Sequence, residues 1–131
     1  MLNFNTITGT RQLTVAFQPV LANGQLDDYG HAEGKIWFTI KDTGVTGYNL
    51  ILLIHALVEY ILTQGRGIPL GLIDRFDEDN PELEEPGDDV NAPYRNEHSV
   101  AVGIERILCA YMNIPWKVYE EALIKALGDD Q

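Results

Sequence analysis

Apolar and polar positions alternate along the first third of the chain and repeat every three to four residues along the rest. Residues 12–20 (QLTVAFQPV) and 33–41 (EGKIWFTIK) carry β-branched and aromatic side chains in near alternation, the pattern of strands. Ile36, Phe38 and Ile40 fall on one face of the second strand, and Lys35, Trp37 and Thr39 on the other. The intervening LANGQLDDYGHA is rich in turn formers and predicts a loop, with Asn23-Gly24 as its turn, although it is longer than a tight hairpin requires. From Thr43 onward the period becomes helical. A helix over 45–64 is apolar almost all round, which makes it the central helix of the fold, and Gly65-Arg66-Gly67 closes it. Pro69 opens a short helical segment, PLGLIDRFDED, with Leu72, Ile73 and Phe76 turned inward and Asp74 and Asp77 sharing a side. A long acidic loop at 78–92 has no hydrophobic period and is either functional or mobile. Asn91 then caps a helix, with Pro93 near its first turn, that runs to about Met112. Asn113 and Pro115 break it. A last helix, PWKVYEEALIKAL, sets Trp116, Tyr119, Leu123 and Leu127 at core-facing spacing and ends in a frayed GDDQ tail.

These elements predict one α+β domain over 1–131, β-rich in 1–42 and helical in 43–131. A small antiparallel sheet of two or three strands packs on a three- to four-helix bundle, and a chain of 131 residues that is 45% hydrophobic has enough apolar surface for one core. No basic segment followed by an apolar core stands at the start, so no secretory leader is expected. The apolar run 48–62 is interrupted by Asn49, His55 and Glu59 and falls short of the roughly 20 residues of a membrane span, so a cytoplasmic, non-membrane protein is expected. The single cysteine, Cys109, excludes an internal disulfide and a Cys-rich zinc site, fits a reducing compartment, and sits where a small core residue belongs.

Charge narrows the partners. The net charge is −11, and nine of the twenty acidic residues crowd into 74–89. Such a surface repels phosphate backbones, so direct nucleic-acid binding is not expected. Acid runs also simply keep small proteins soluble; beyond that, this one suits cations or a basic partner.

Two histidines carry the candidate chemistry, because each lies in an apolar helical stretch with carboxylates at helical spacing, where a bare charge costs several kcal/mol unless paired or metal-bound. His55 and Glu59, four residues apart, can offer an imidazole nitrogen and a carboxylate to one ion. Glu97, His98 and Glu105 on the next long helix, and Asp77 with Asp74, supply further donors. A site with this much carboxylate suits Zn2+ or shifts toward Mn2+ or Mg2+, and a divalent metal there makes hydrolysis the natural reaction, with Glu59 or Glu105 as general base. The competing reading is a polar core network completed by Arg95 and Arg106. A zinc-protease helix would have glutamate after its first histidine; Ala56 stands there instead. Ser99 is the only serine and no Gly-x-Ser-x-Gly or phosphate-cradling glycine loop is present, which argues against serine hydrolases and nucleotide-binding loops. His31, in a polar stretch, reads as a surface residue.

The segments HALVEYILTQGRGI, IDRFDEDN and EPGDDVNAPYRNEHSVAVGIERIL, spanning 54–108, resemble a group of small proteins of phages and other bacterial mobile elements. That group has a His-Glu-Leu-x-Glu helix, then Phe-Asp, Glu-Pro-Gly-Asp-Asp, Pro-Tyr and Glu-His. The matching positions here are His55, Glu59, Phe76, Asp77, Gly87, Asp88, Asp89, Pro93, Tyr94, Glu97 and His98, while Ala56 departs from the pattern. The resemblance implies a His/Glu/Asp site and a phage-linked origin, which would place the protein in the host cytoplasm, and implies no substrate. Two functional expectations result. The first is a metal-dependent hydrolase acting on a small phosphorylated or nucleotide-like molecule, with the acidic loop holding cations, Arg66, Arg75 or Arg95 contacting substrate, and Asp88 and Asp89 among the residues that bind substrate or partner. The second is a non-catalytic acidic protein, a phage-encoded inhibitor of host defence, nucleic-acid mimic or immunity-type protein, that docks on a basic host protein.

Overall fold

The computed structural model describes residues 12–128. The expectations for the first residues and for the tail beyond 128 lie outside the described residues. Three strands, β1 (Gln12–Gln18), β2 (Asp27–Ala32) and β3 (Lys35–Lys41), form one sheet in the order β1-β3-β2. Four α-helices follow: α1 (Thr46–Gly65), α2 (Leu70–Asp79), α3 (Arg95–Tyr111) and α4 (Trp116–Gly128), with one 3-10 turn at Pro86–Asp88 between α2 and α3. The fold is α+β.

The sheet is mixed, not antiparallel. The two strands legible in the sequence, β1 and β3, run parallel, with Val15 opposite Phe38. The antiparallel partner of β3 is β2, which occupies half of the stretch read as a loop. Its turn is Glu33-Gly34, where both residues take positive φ (50° and 80°), as a two-residue hairpin turn of the twist-matched kind demands. Asn23-Gly24 does turn the chain, with Gly24 at φ 70°, but between β1 and β2. Gly30 is required in β2 because the Trp37 ring lies across it: a Cβ there would sit 2.4 Å from Trp37 Cζ2.

The helices cover β2 and β3. Tyr29, Phe38 and Ile40 are buried with Ile51, Leu52, Ala56 and Tyr60 of α1, Cys109 of α3, and Tyr119 and Leu123 of α4. Tyr60 meets the Tyr29 and Phe38 rings edge-on at 5.7 and 5.6 Å, the favoured aromatic geometry. Cys109 is a buried free thiol, as its neighbours in the sequence indicated. Leu13, Val15 and Phe17 of β1 share a face with Ile36, Phe38 and Ile40, yet stay 58%, 39% and 43% exposed, because none of the described helices packs substantially on β1.

Helix α1 ends as expected. Gly67 takes φ 75°, its N–H bonds Gln64 O, and the Ile68 N–H bonds Thr63 O, so the last carbonyls are satisfied. Asn113, at φ 58°, closes α3 in the same way through Ile114 N–H to Cys109 O. At 20 residues and with a mean hydropathy of 1.3, α1 is long and apolar enough to cross a membrane by length and composition, which the interrupted run 48–62 had not suggested; in the fold it is the central helix, with ten buried residues. Two details differ from expectation. Helix α3 starts at Arg95 with no side-chain cap, Asn91 being held in a turn by Asp89 Oδ1 instead. In α2, Ile73 and Phe76 pack with Ala92 and Tyr94 in a second small core, while Leu72 faces solvent.

Candidate metal centre

His55 and Glu59 lie one turn apart on the side of α1 that meets α3, and His98 and Glu105 lie two turns apart on the side of α3 that meets α1. All four are buried. Glu59 Oε2 stands 3.1 Å from His55 Nε2 and 3.0 Å from His98 Nδ1, and the two imidazoles meet nearly edge-on with centroids 4.9 Å apart. These three donor atoms lie within 4.8 Å of one another, converging on one point from two facing helices. Ligand atoms about 2 Å from a tetrahedral ion lie about 3.4 Å apart, so the cluster needs only a small spreading to close on a cation.

Two of the three ligand candidates, His55 and Glu59, are held from behind. His55 Nδ1 hydrogen-bonds Glu105 Oε1, and Tyr119 Oη donates to Glu105 Oε2 at 2.5 Å. Tyr29 Oη donates to Glu59 Oε1 at 2.8 Å. A carboxylate on the far nitrogen of a metal-binding histidine fixes the ring's tautomer and orientation, and Glu105 occupies that position for His55.

The electrostatics fit a cluster short of positive charge. Burial disfavours charge on His98, but the carboxylates of Glu59 and Glu85 outweigh it and hold the imidazole up at about 10. Burial likewise works against the Glu59 carboxylate, and hydrogen bonds from His55 and His98 prevail, lowering it to about 2. His55 is raised above the usual histidine range, burial being overcome by Glu105 and Glu59. Asp27 feels His55, Glu59, His98 and Glu105; burial of its carboxyl, aided by the two glutamates, pushes it up to about 7. Around two imidazoles the structure thus sets five carboxyl groups, those of Asp27, Glu59, Glu85, Asp88 and Glu105.

A recess of about 40 Å3, room for an ion and a water, opens beside Glu59 and His98 between Asp27, Tyr94 and Gly87. The loop that closes it presses on the imidazole: a Cβ on Gly87 would stand 2.4 Å from His98 Cγ. A larger cavity of about 490 Å3 lies on the other side, against Glu85, Asp88 and Glu105, with Arg106, Trp116 and Leu123 in its walls.

Of the residues singled out from the sequence, His55, Glu59, His98 and Glu105 come together, and Asp88 reaches His98 from the acidic loop. Asp77 lines the same recess but accepts a hydrogen bond from Tyr94 Oη at 2.5 Å. Glu97 stands apart, paired with Arg66 at 2.6 Å. Arg95 is exposed, Asp89 orders the turn before α3, and Arg106 stacks on Trp116 with its guanidinium 4.5 Å from the ring centroid, so neither Arg95 nor Arg106 is bonded to the His/Glu cluster. His31 lies on strand β2 and not in a turn, half-buried and 2.8 Å from Tyr60 Oη. Asp27, Tyr29, Glu85 and Tyr119 belong to the site and were missed. Asp27 and Tyr29 lie in the stretch read as a loop, and Tyr119 was legible only as core; Glu85 alone had a signal, as the first residue of Glu-Pro-Gly-Asp-Asp. Comparison with protein-family models, with curated proteins and with solved structures finds no match to this chain.

Proposed function

We propose that this protein is a metal-dependent hydrolase whose divalent ion, Zn2+ or Mn2+/Mg2+, is held by His55 Nε2, Glu59 Oε2 and His98 Nδ1. The observation that carries the reading is the convergence of those three buried donor atoms, with Glu105 and Tyr119 behind His55. Such an ion supplies a water acidified toward neutral pH. Glu59 and Glu105 are engaged on both oxygens, which leaves Asp27, with its carboxyl raised to about 7, as the group suited to take the water's proton. A small phosphorylated or nucleotide-like substrate enters the cavity of about 490 Å3, where Arg106 is the cation in the wall and the buried Trp116 Nε1–H has no acceptor. Arg66 and Arg95 lie outside those walls. A phage or mobile-element origin, with action in the host cytoplasm, is part of the same proposal.

Elemental analysis of the tag-free protein beside a His55→Ala/His98→Ala variant tests it. Near-stoichiometric metal in the parent, lost in a folded variant, together with metal-dependent cleavage in a phosphoester and nucleotide screen, supports the reading. No metal after soaking overturns it and makes the cluster a polar core. One observation favours the second reading, docking on a basic host protein: Glu78, Asp79, Glu82 and Glu84 are all exposed on one stretch of a chain carrying a net −11. Charge reversal at these four positions would abolish that docking and leave metal content unchanged.

A further inference from the structure

His98 has a second face. Its Nδ1 points to Glu59, but its Nε2 points out of the helix pair, 3.2 Å from Asp88 Oδ1 and 3.5 Å from Glu85 Oε2. The side chain is 8% exposed, and Nε2 is fully enclosed without a hydrogen bond of acceptable geometry. Two carboxylates therefore converge on a nitrogen that has at most one proton to offer. Glu85 and Asp88 flank a single 3-10 turn, which brings both carboxylates to the same nitrogen. The turn is built for this approach, since Gly87, between the two acids, lets the backbone close on the imidazole where any side chain would collide with it.

We infer that Glu85, Asp88 and His98 Nε2 form a second divalent-cation site, so that the His98 imidazole bridges two ions, one on each ring nitrogen. The inference rests on the inner site proposed above. The outer set offers one nitrogen and two carboxylate oxygens within reach of one another, and it is partly open to solvent at Asp88, so water completes its coordination. That donor set suits Zn2+ or Mn2+. Binding of the second ion releases the Nε2 proton to solvent, leaving an imidazolate whose charge the two ions share. Two ions bridged by one ring also bring a dinuclear site to the boundary between the recess and the larger cavity, both of which Glu85 lines.

The test is a Zn2+ titration of the metal-free protein, followed by metal analysis after gel filtration, for the parent and for Glu85→Gln/Asp88→Asn. Two ions per chain in the parent and one in the variant, with the variant's unfolding cooperative, is the expected result. One ion in both overturns the second site and leaves the inner one standing; two in both overturns its assignment to Glu85 and Asp88; none in either overturns both sites. Electron paramagnetic resonance of the Cu2+-loaded parent tests the bridge itself. Two Cu2+ ions joined through one imidazolate couple and lose the isolated Cu2+ signal, whereas two independent signals would overturn the bridge.

Discussion

Tyr119 Oη and Gly87 show how far single atoms set the geometry of the site. The Tyr119 hydroxyl donates to Glu105, which in turn holds His55. Tyr119→Phe removes that donor and leaves a buried carboxylate oxygen unpaired, at a cost of about 1–3 kcal/mol, and loosening a carboxylate behind a metal-binding histidine weakens metal affinity about 10–100-fold. Denaturant unfolding and a competitive Zn2+ titration of the variant measure both effects; unaltered affinity would detach Glu105 from the centre. Gly87→Ala acts by volume alone, because this glycine is not among those with positive φ. Its methyl would fall 2.4 to 2.9 Å from three atoms of His98, and overpacking of this kind costs about 1–3 kcal/mol. The expected outcome is a lower melting temperature and weaker metal binding on both ring nitrogens of His98, since Nδ1 is itself one of the three atoms crowded.

At the scale of elements, the contact of α1 with α3 governs the pH response. In the metal-free protein His98 is held at about 10 against an ordinary 6.5. A raised histidine stabilises the fold fully below its unfolded value and ceases to do so as pH climbs through the folded one. Glu59 is the opposite case, lowered from 4.5 to about 2, and its contribution is lost as pH falls through that interval. Asp27, raised from 3.8 to about 7, behaves like the histidine, and its share fades between those values as pH rises. Melting temperatures in EDTA should therefore fall from about pH 5 to 10, first as Asp27 and then as His98 loses its proton, and again from pH 4.5 to 2. Metal binding needs neutral imidazoles, so the rise in melting temperature on adding Zn2+ should grow with pH from 5 to 8. A metal-free melting temperature flat from pH 6.5 to 10 would show that His98 is not held protonated by its carboxylates. The same helices explain what the sequence makes legible. Their 3.6 period, and the glycine and asparagine that close them, are local signals, and a histidine or glutamate inside such a period announces itself. Strand β2 has no such signal: DDYGHA holds two aspartates, a glycine and no β-branched residue, and it is a strand because Trp37 covers Gly30 and Tyr29 packs against Tyr60. Parallel pairing of β1 with β3 is likewise a property of the assembled sheet, invisible in either strand alone. Asp27 and Tyr29 entered the site with β2 and were hidden for the same reason.

Over the whole molecule, the cluster is anchored by β2, α1, α3, α4 and the acidic loop, and β1 supplies none of its members. The connection from β1 must also cross β3 to reach β2 at the far edge, whereas β2 and β3 are joined by a two-residue turn. Closing the longer loop comes at an entropic cost that the hairpin avoids, so β1 is the last strand to be added and the first to leave. In native-state hydrogen exchange the β1 amides bonded to β3 should exchange by a local opening, well before those of α1 and α3 and without release of bound metal. Equal protection of all three strands would refute this. The uncovered Leu13, Val15 and Phe17 thus mark a seam in the protein, along which the sheet can be shortened by one strand while the chemistry behind it stays assembled.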